Sequence, residues 1–244
     1  MMAHAAPASG QILTLRVLSQ LLTYPRENLA EAVPELADVL AGEKLVDAYT
    51  RAALEPLMTR LEQNDLYDLQ ENYVALFDRT RRLSLHLFEH VHGESRDRGQ
   101  AMVDLAALYE KGGLYVAANE LPDYLPLFLE YAATRPWAEA RGLLKDVTHI
   151  LAQLEERLVE RGSDYAAIFS TLRILAGELQ AVPAGAVSQP VQSDDPLADL
   201  EALDKEWEET AVTFGPGDAM DGCSVDRFRT QLRAARRDVR QSAN

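Results

Sequence analysis

The chain has one cysteine in 244 residues, Cys223. That excludes an internal disulfide framework and a multi-thiolate metal cage, and it suits a reducing compartment. No run of about 18 apolar residues occurs, so no membrane-spanning helix is expected. The opening MMAHAAPASG lacks the basic start of a secretory signal, and Arg16 interrupts the apolar stretch that follows. These readings predict a cytoplasmic protein. No glycine-rich phosphate loop, strand-period segment or internal repeat is present. Basic charge is scarce as well: 24 Lys and Arg stand against 39 Asp and Glu, a formal net charge of −15. Nucleic-acid binding needs a positive footprint, so that class is disfavoured. The same charge fits a cationic peptide or basic client, although acidic charge also serves plain solubility.

What is present is helical periodicity, and 47% of the residues are hydrophobic. Ile12, Leu15, Leu18 and Leu22 predict a helix over 11–23, stopped by Pro25. A second helix is expected from about Asn28 to Leu40, with Pro34 kinking it or starting its second half, and a third from Glu43 to Gln63 with a bend at Pro56. Asp65 can cap the next helix, whose apolar face is Leu66, Leu69, Tyr73, Leu76 and Phe77. Leu83, Leu87, Phe88 and Val91 continue nearly the same period. Residues 65–92 therefore read as one long helix or as two, the second reading being preferred with a break near Thr80. Ser95 or Asp97 starts a helix that Gly112 and Gly113 end. LPDYLPLFLEYAATRP reads as a short apolar helix capped by Asp123, with Pro126 in its first turn. A long helix follows from Trp137 to Arg161, then one capped by Ser163 or Asp164 and reaching Ala181. The fold class is all-α, a single-domain helical bundle within 1–182.

Composition shifts after Val182. PAGAVSQPVQSDDP reads as a linker, an acidic segment follows, and six arginines between Arg227 and Arg240 occupy an expected helix begun by Ser224. Residues 183–244 are read as linker and charged tail.

The strongest catalytic pattern is His86-Leu87-Phe88-Glu89-His90, the H-x-x-E-H arrangement of inverted zinc peptidases. On a helix, His86 and His90 stand one turn apart and could ligate zinc, with Glu89 as general base. The competing reading has both histidines hydrogen-bonded to neighbouring carboxylates. His92 beside Gly93 suits a helix end. Cys223 has no adjacent histidine to activate it. Arginines 79, 81, 82, 96 and 98 interleave with Asp78, Glu89, Glu94, Asp97 and Asp104. That mixture describes either a salt-bridged surface or the polar rim of a groove that takes an amphipathic helix.

The run FDRTRRLSLHLFEHVHGESRDRGQAMVDL, Phe77 to Leu105, resembles the signature of the NarJ family, the assembly chaperones of respiratory nitrate reductase. ELPDYLPLFLEY, Glu120 to Tyr131, is similar to the same family and to the wider redox-enzyme maturation chaperones related to TorD and DmsD. That superfamily carries a Glu-x-Pro-Asp-His element; Glu120, Pro122 and Asp123 match it and Tyr124 stands in place of the histidine. WEETAVTFG, Trp207 to Gly215, also looks NarJ-like.

The resemblance implies an all-helical chaperone without enzymatic activity and without a cofactor of its own. Its partner is the N-terminal segment of the apo catalytic (alpha) subunit, held while the molybdenum cofactor is inserted and before membrane attachment. Cofactor-delivery proteins are further candidate partners. On this reading the peptide docks on Tyr73, Phe77, Leu87, Phe88, Tyr124 and Phe128. Glu89, Glu94, Asp97, Asp104, Glu120 and Asp123 are the candidates to meet its basic residues.

Overall fold

The computed structural model describes residues 11–91, 97–117 and 120–178. Eight α-helices account for most of them: α1 Leu13–Leu21, α2 Glu27–Glu43, α3 Ala48–Gln63, α4 Leu66–Phe77, α5 Asp97–Lys111, α6 Leu125–Ala133, α7 Trp137–Glu160 and α8 Ala166–Ala176. No strand occurs among the described residues. The expected all-α class is what the chain adopts. The linker, the acidic segment, the arginine-rich end, Trp207–Gly215, Cys223 and the boundary at residue 182 all lie outside the described residues.

The core forms between helix pairs. The α7 helix lies along α8, α1 against α6, and α2 against both α1 and α3. Leu15, Leu18, Leu21, Phe128, Leu129, Leu144, Leu151 and Phe169 are fully buried in one continuous cluster. Polar groups tie the pairs together. Glu43, at the end of α2, accepts the Leu13 and Thr14 amides at the start of α1, at 3.0 and 2.5 Å. A carboxylate there satisfies two otherwise free donors and complements the helix dipole. Ser19 donates to the Pro126 carbonyl at 2.8 Å, fixing α1 on the first turn of α6.

The boundaries correct several expectations. Pro34 and Pro56 do lie inside α2 and α3, as expected. The third helix begins at Ala48, not Glu43. Lys44 adopts φ 57°, the buried Leu45 and Val46 follow, and Asp47 caps α3 through the Thr50 amide at 2.7 Å. Asp65 caps α4 through the Tyr67 amide, as expected. Gly113, at φ 85°, closes α5 as glycine can; the Leu114 amide turns back to the Tyr109 carbonyl at 2.9 Å. The last helix stops at Ala176 and does not reach Ala181, because Gly177 enters the left-handed region at φ 81°. Neither Ser163 nor Asp164 caps it. Tyr165 holds that position, and Asp164 instead pairs with Arg60 at 2.6 Å.

The largest departure is at 78–91. Beyond Phe77 there is no α-helix but two 3-10 turns, Arg81–Leu83 and Leu87–Glu89, with extended backbone at Thr80 and His86. The His86–His90 stretch is therefore not on an α-helix.

Candidate functional site

Two segments far apart in sequence lock together here. His86 and Tyr124 form an isolated antiparallel bridge: the Leu87 amide donates to the Asp123 carbonyl at 2.9 Å, and the Leu125 amide to the Leu85 carbonyl at 2.8 Å. Asp123 is fully buried beneath it. Its carboxylate accepts the Phe88 amide at 3.2 Å and the His86 Nδ1 at 3.0 Å, and lies 4.0 Å from Arg98, which also reaches Glu89 at 3.4 Å. A carboxylate only accepts, so His86 carries its proton on Nδ1. The capping role expected of Asp123 on α6 is not what the structure has. Tyr124 is the N-cap there, without a side-chain bond, and the Asp123 carboxylate faces the 86–88 turn.

The remaining polar groups are similarly committed. Tyr109 donates to the Pro122 carbonyl at 2.8 Å, and burial pushes its phenol well above the usual range. His90 Nε2 lies 2.7 Å from the Ser84 carbonyl, so that nitrogen is the protonated one. Burial lowers the His90 pKa, and the Ser84 bond only partly opposes this. The alternative zinc arrangement of His86 and His90 fails on these grounds. The stretch is not α-helical, so His86 and His90 do not stand one turn apart on a helix face. Among the described residues no three His, Cys, Asp or Glu side chains converge as a metal-holding group.

Beside this lock opens a cleft of about 540 Å³. Its walls are the end of α4 (Tyr73, Val74, Phe77), residues from Asp78 to Glu89, Tyr24 after α1, and Leu121 and Tyr124 before α6. The floor is aromatic. Tyr73 packs on Phe77 at 5.0 Å and edge-on to Tyr24 at 5.6 Å, and Tyr165 meets Phe77 at 5.1 Å from behind. Tyr73 donates to the Leu22 carbonyl at 2.8 Å, which uses its one proton. Tyr124 therefore donates across the 3.1 Å contact to Tyr73. Burial raises both phenols, and each group's neighbour across that contact acts on it too. At the mouth Tyr24 is 39% and Leu121 48% exposed. Asp78, Glu89, Arg79 and Arg81 supply both charge signs to the lining. An apolar floor with charged edges is suited to holding an amphipathic segment.

Of the expected contact residues, Tyr73, Phe77, Glu89 and Tyr124 line this cleft. Leu87, Phe88 and Phe128 are core residues, at most 1% exposed, and present no surface to a ligand. Asp104 and Asp123 are buried too, and Asp104 accepts from Gln100 at 2.9 Å. Asp97 and Glu120 are exposed. Glu94 and His92 lie outside the described residues. Tyr24, Leu121 and Leu85 are lining residues that the sequence did not point to. An apolar side chain in a proline-flanked loop, as at Leu121, is the signal that was there to be used.

An all-helical body with this locked signature belongs to a class recognisable by sequence. The family model described as nitrate reductase delta subunit matches residues 25–171, and the chain belongs to that family. It is 43% identical over 221 residues to the nitrate reductase molybdenum cofactor assembly chaperone NarJ of Escherichia coli K12, covering 89% of this chain and 93% of that one. It is 41% identical over 204 residues to NarW of the same organism, covering 82% of this chain and 83% of that one. A solved redox enzyme maturation protein from Archaeoglobus fulgidus superposes with a TM-score of 0.45 at 22% identity, over 69% of this chain and 94% of that one.

Proposed function

We propose that this chain is an assembly chaperone of a nitrate reductase. It binds the N-terminal segment of the apo catalytic subunit, holds that subunit while its molybdenum cofactor is inserted and before membrane attachment, and is absent from the mature enzyme. It catalyses no reaction and keeps no cofactor; the molybdenum cofactor belongs to the client. It works in the cytoplasm, with residues 1–182 as the chaperone domain and 183–244 as linker and charged tail. The observation that carries the reading is the 43% identity to NarJ across 89% of the chain. The cleft supplies the physical means. Tyr24, Tyr73, Phe77, Leu121 and Tyr124 offer apolar anchorage, and Glu89 with the exposed Glu120 and Asp97 select basic residues. Among the described residues no helix is long and apolar enough to cross a membrane.

Calorimetric titration with a peptide copying the first ~15–25 residues of the catalytic subunit, enough for a helix in a groove, tests this. One-to-one binding that weakens with salt is expected, and Leu121→Asp, at the exposed mouth, is expected to weaken it further. Absence of binding across pH 6 to 8 overturns the peptide role.

A further inference from the structure

The tail sequence carries a pattern that the cleft can use. Between Ser224 and Arg240, Val225, Phe228, Leu232, Ala235 and Val239 recur at spacings of three and four, the period of one helix face. Six arginines fill the other positions against Asp226 and Asp238. Apolar anchors at helical spacing combined with basic charge are what the reading above asks of the client. We propose that residues 224–240 are a cis-acting occupant of the cleft between α4 and the 120–124 loop. They dock as an amphipathic helix and compete with the client. This rests on the cleft being the client site.

Three observations carry the proposal. The first is charge: residues 224–240 carry six arginines against two aspartates within a chain of net charge −15, and the carboxylates of Asp78, Glu89 and the exposed Glu120 stand at or beside the cleft, interspersed with Arg79 and Arg81. The second is shape. The cleft is open and floored by aromatics, and its mouth carries the exposed Tyr24 and Leu121, which Phe228 and Leu232, one turn apart, can cover. The third is reach. The 45 residues from 179 to 223 separate Glu178 from Ser224. As a flexible linker they span roughly 34–41 Å root-mean-square, about the width of a domain this size. The last described helix already touches the cleft, since Tyr165 at its start packs on Phe77 at the floor.

Tethering sets an effective concentration on the order of 1 mM, so a tail that binds with a dissociation constant near 0.1 mM weakens client binding roughly ten-fold. The occupied state also covers the apolar mouth when no client is present.

The lone cysteine, Cys223, lies immediately before the segment and offers one attachment point for a nitroxide in the full-length chain. The label is expected to broaden the methyl signals of Val74, Leu85 and Leu121. The full-length double variant Phe228→Asp, Leu232→Asp is expected to lose that broadening. Adding a peptide of the first ~20 residues of the catalytic subunit should relieve the broadening, and the peptide should bind the double variant about ten-fold more tightly than the wild type. Broadening at Leu29, Leu61 and Leu69, which line a second groove flanked by Glu27 and Glu31, overturns the proposal; so does no broadening at all, or equal client affinity in both proteins. Cleft broadening that the double variant abolishes, with no client binding to either protein, supports the docking and removes the client role instead.

Discussion

Asp123 is the residue whose removal separates a structural lock from a helix cap. Its carboxylate is fully buried and accepts from the Phe88 amide and from His86 Nδ1, with Arg98 at 4.0 Å. Asp123→Ala leaves the buried Phe88 amide and the part-exposed His86 Nδ1 without their acceptor. Hydrogen bonds to a charged partner are worth about 1.5–3 kcal/mol each, and breaking one side of a buried pair costs about 3–5 kcal/mol in all. Arg98 keeps Glu89 at 3.4 Å, which limits its share of the loss. A loss near 4 kcal/mol, or roughly 8–16 °C in Tm for a domain of this size, is expected. Asp123→Asn is the sharper probe. Its amide oxygen can serve one donor while its NH2 faces the other, so about 2 kcal/mol is expected to go. If Asp123 were only a cap, asparagine would serve almost as well and alanine would cost about 1 kcal/mol. Urea unfolding followed by circular dichroism and fluorescence gives both values, with coincident transitions as the two-state check. A double-mutant cycle with His86→Ala should return a coupling of about 1–2 kcal/mol. An Asp123→Asn loss below about 0.5 kcal/mol would refute the buried-acceptor account.

Tyr73→Phe strips the Leu22 carbonyl of its donor and Tyr124 of its acceptor; about 1–3 kcal/mol should be lost in urea unfolding, and a neutral result would show that both groups find other partners. Gly112→Ala and Gly42→Ala should move Tm in opposite directions. A Cβ at Gly112 would meet the buried Tyr131 ring at 2.5 Å and cost about 1–3 kcal/mol, whereas at Gly42, inside α2, nothing lies within 4 Å and about 0.5–1 kcal/mol should be gained. His90 titrates at a lowered pKa because it is buried, against an ordinary 6.5. The unfolded chain thus binds more protons than the fold in the window below 6.5, and stability rises with pH there. That contribution is complete above 6.5, declines as pH falls, and is lost once pH passes the lowered folded value. His90→Gln should flatten the stability profile between pH 7.5 and 5.5; an unchanged slope would place the titration elsewhere.

The helices that were legible in the sequence are those whose burial pattern is local. Asp65 announced α4, the paired glycines after Lys111 announced the end of α5, and the period from Trp137 onward announced α7. Residues 78–91 were not legible for a physical reason. Leu83, Leu87 and Phe88 fall inward in the 3-10 turns, so the apolar spacing imitates a helix face. What holds the segment away from α-helix is non-local: the Asp123 carboxylate, the Asp123 and Leu85 backbone pairings, and Arg157 donating to the Arg82 carbonyl. A helical wheel contains none of these partners. The same limit applied to the candidate site. The wheel identified Phe77 and Phe128 as apolar alike, yet only the packing of other elements decides that Phe77 lines an open cleft while Phe128 is sealed in the core.

Tyr124 shows what the link between the 120–124 loop and α4 asks of a side chain. Tyr73 spends its own proton on the carbonyl of Leu22, so it can offer Tyr124 only an acceptor. Any side chain at 124 that directs one donor towards α4 can make that link, and a phenol does so with a raised pKa that keeps its proton in place. An imidazole at 124 would have such a donor as well, but it would add a second nitrogen that titrates near neutral pH. At this position the tyrosine therefore ties the 120–124 loop to α4 without placing a group that titrates near neutral pH on the wall of the cleft. The remaining histidine at that wall is His86, and its Nδ1 is already fixed by Asp123.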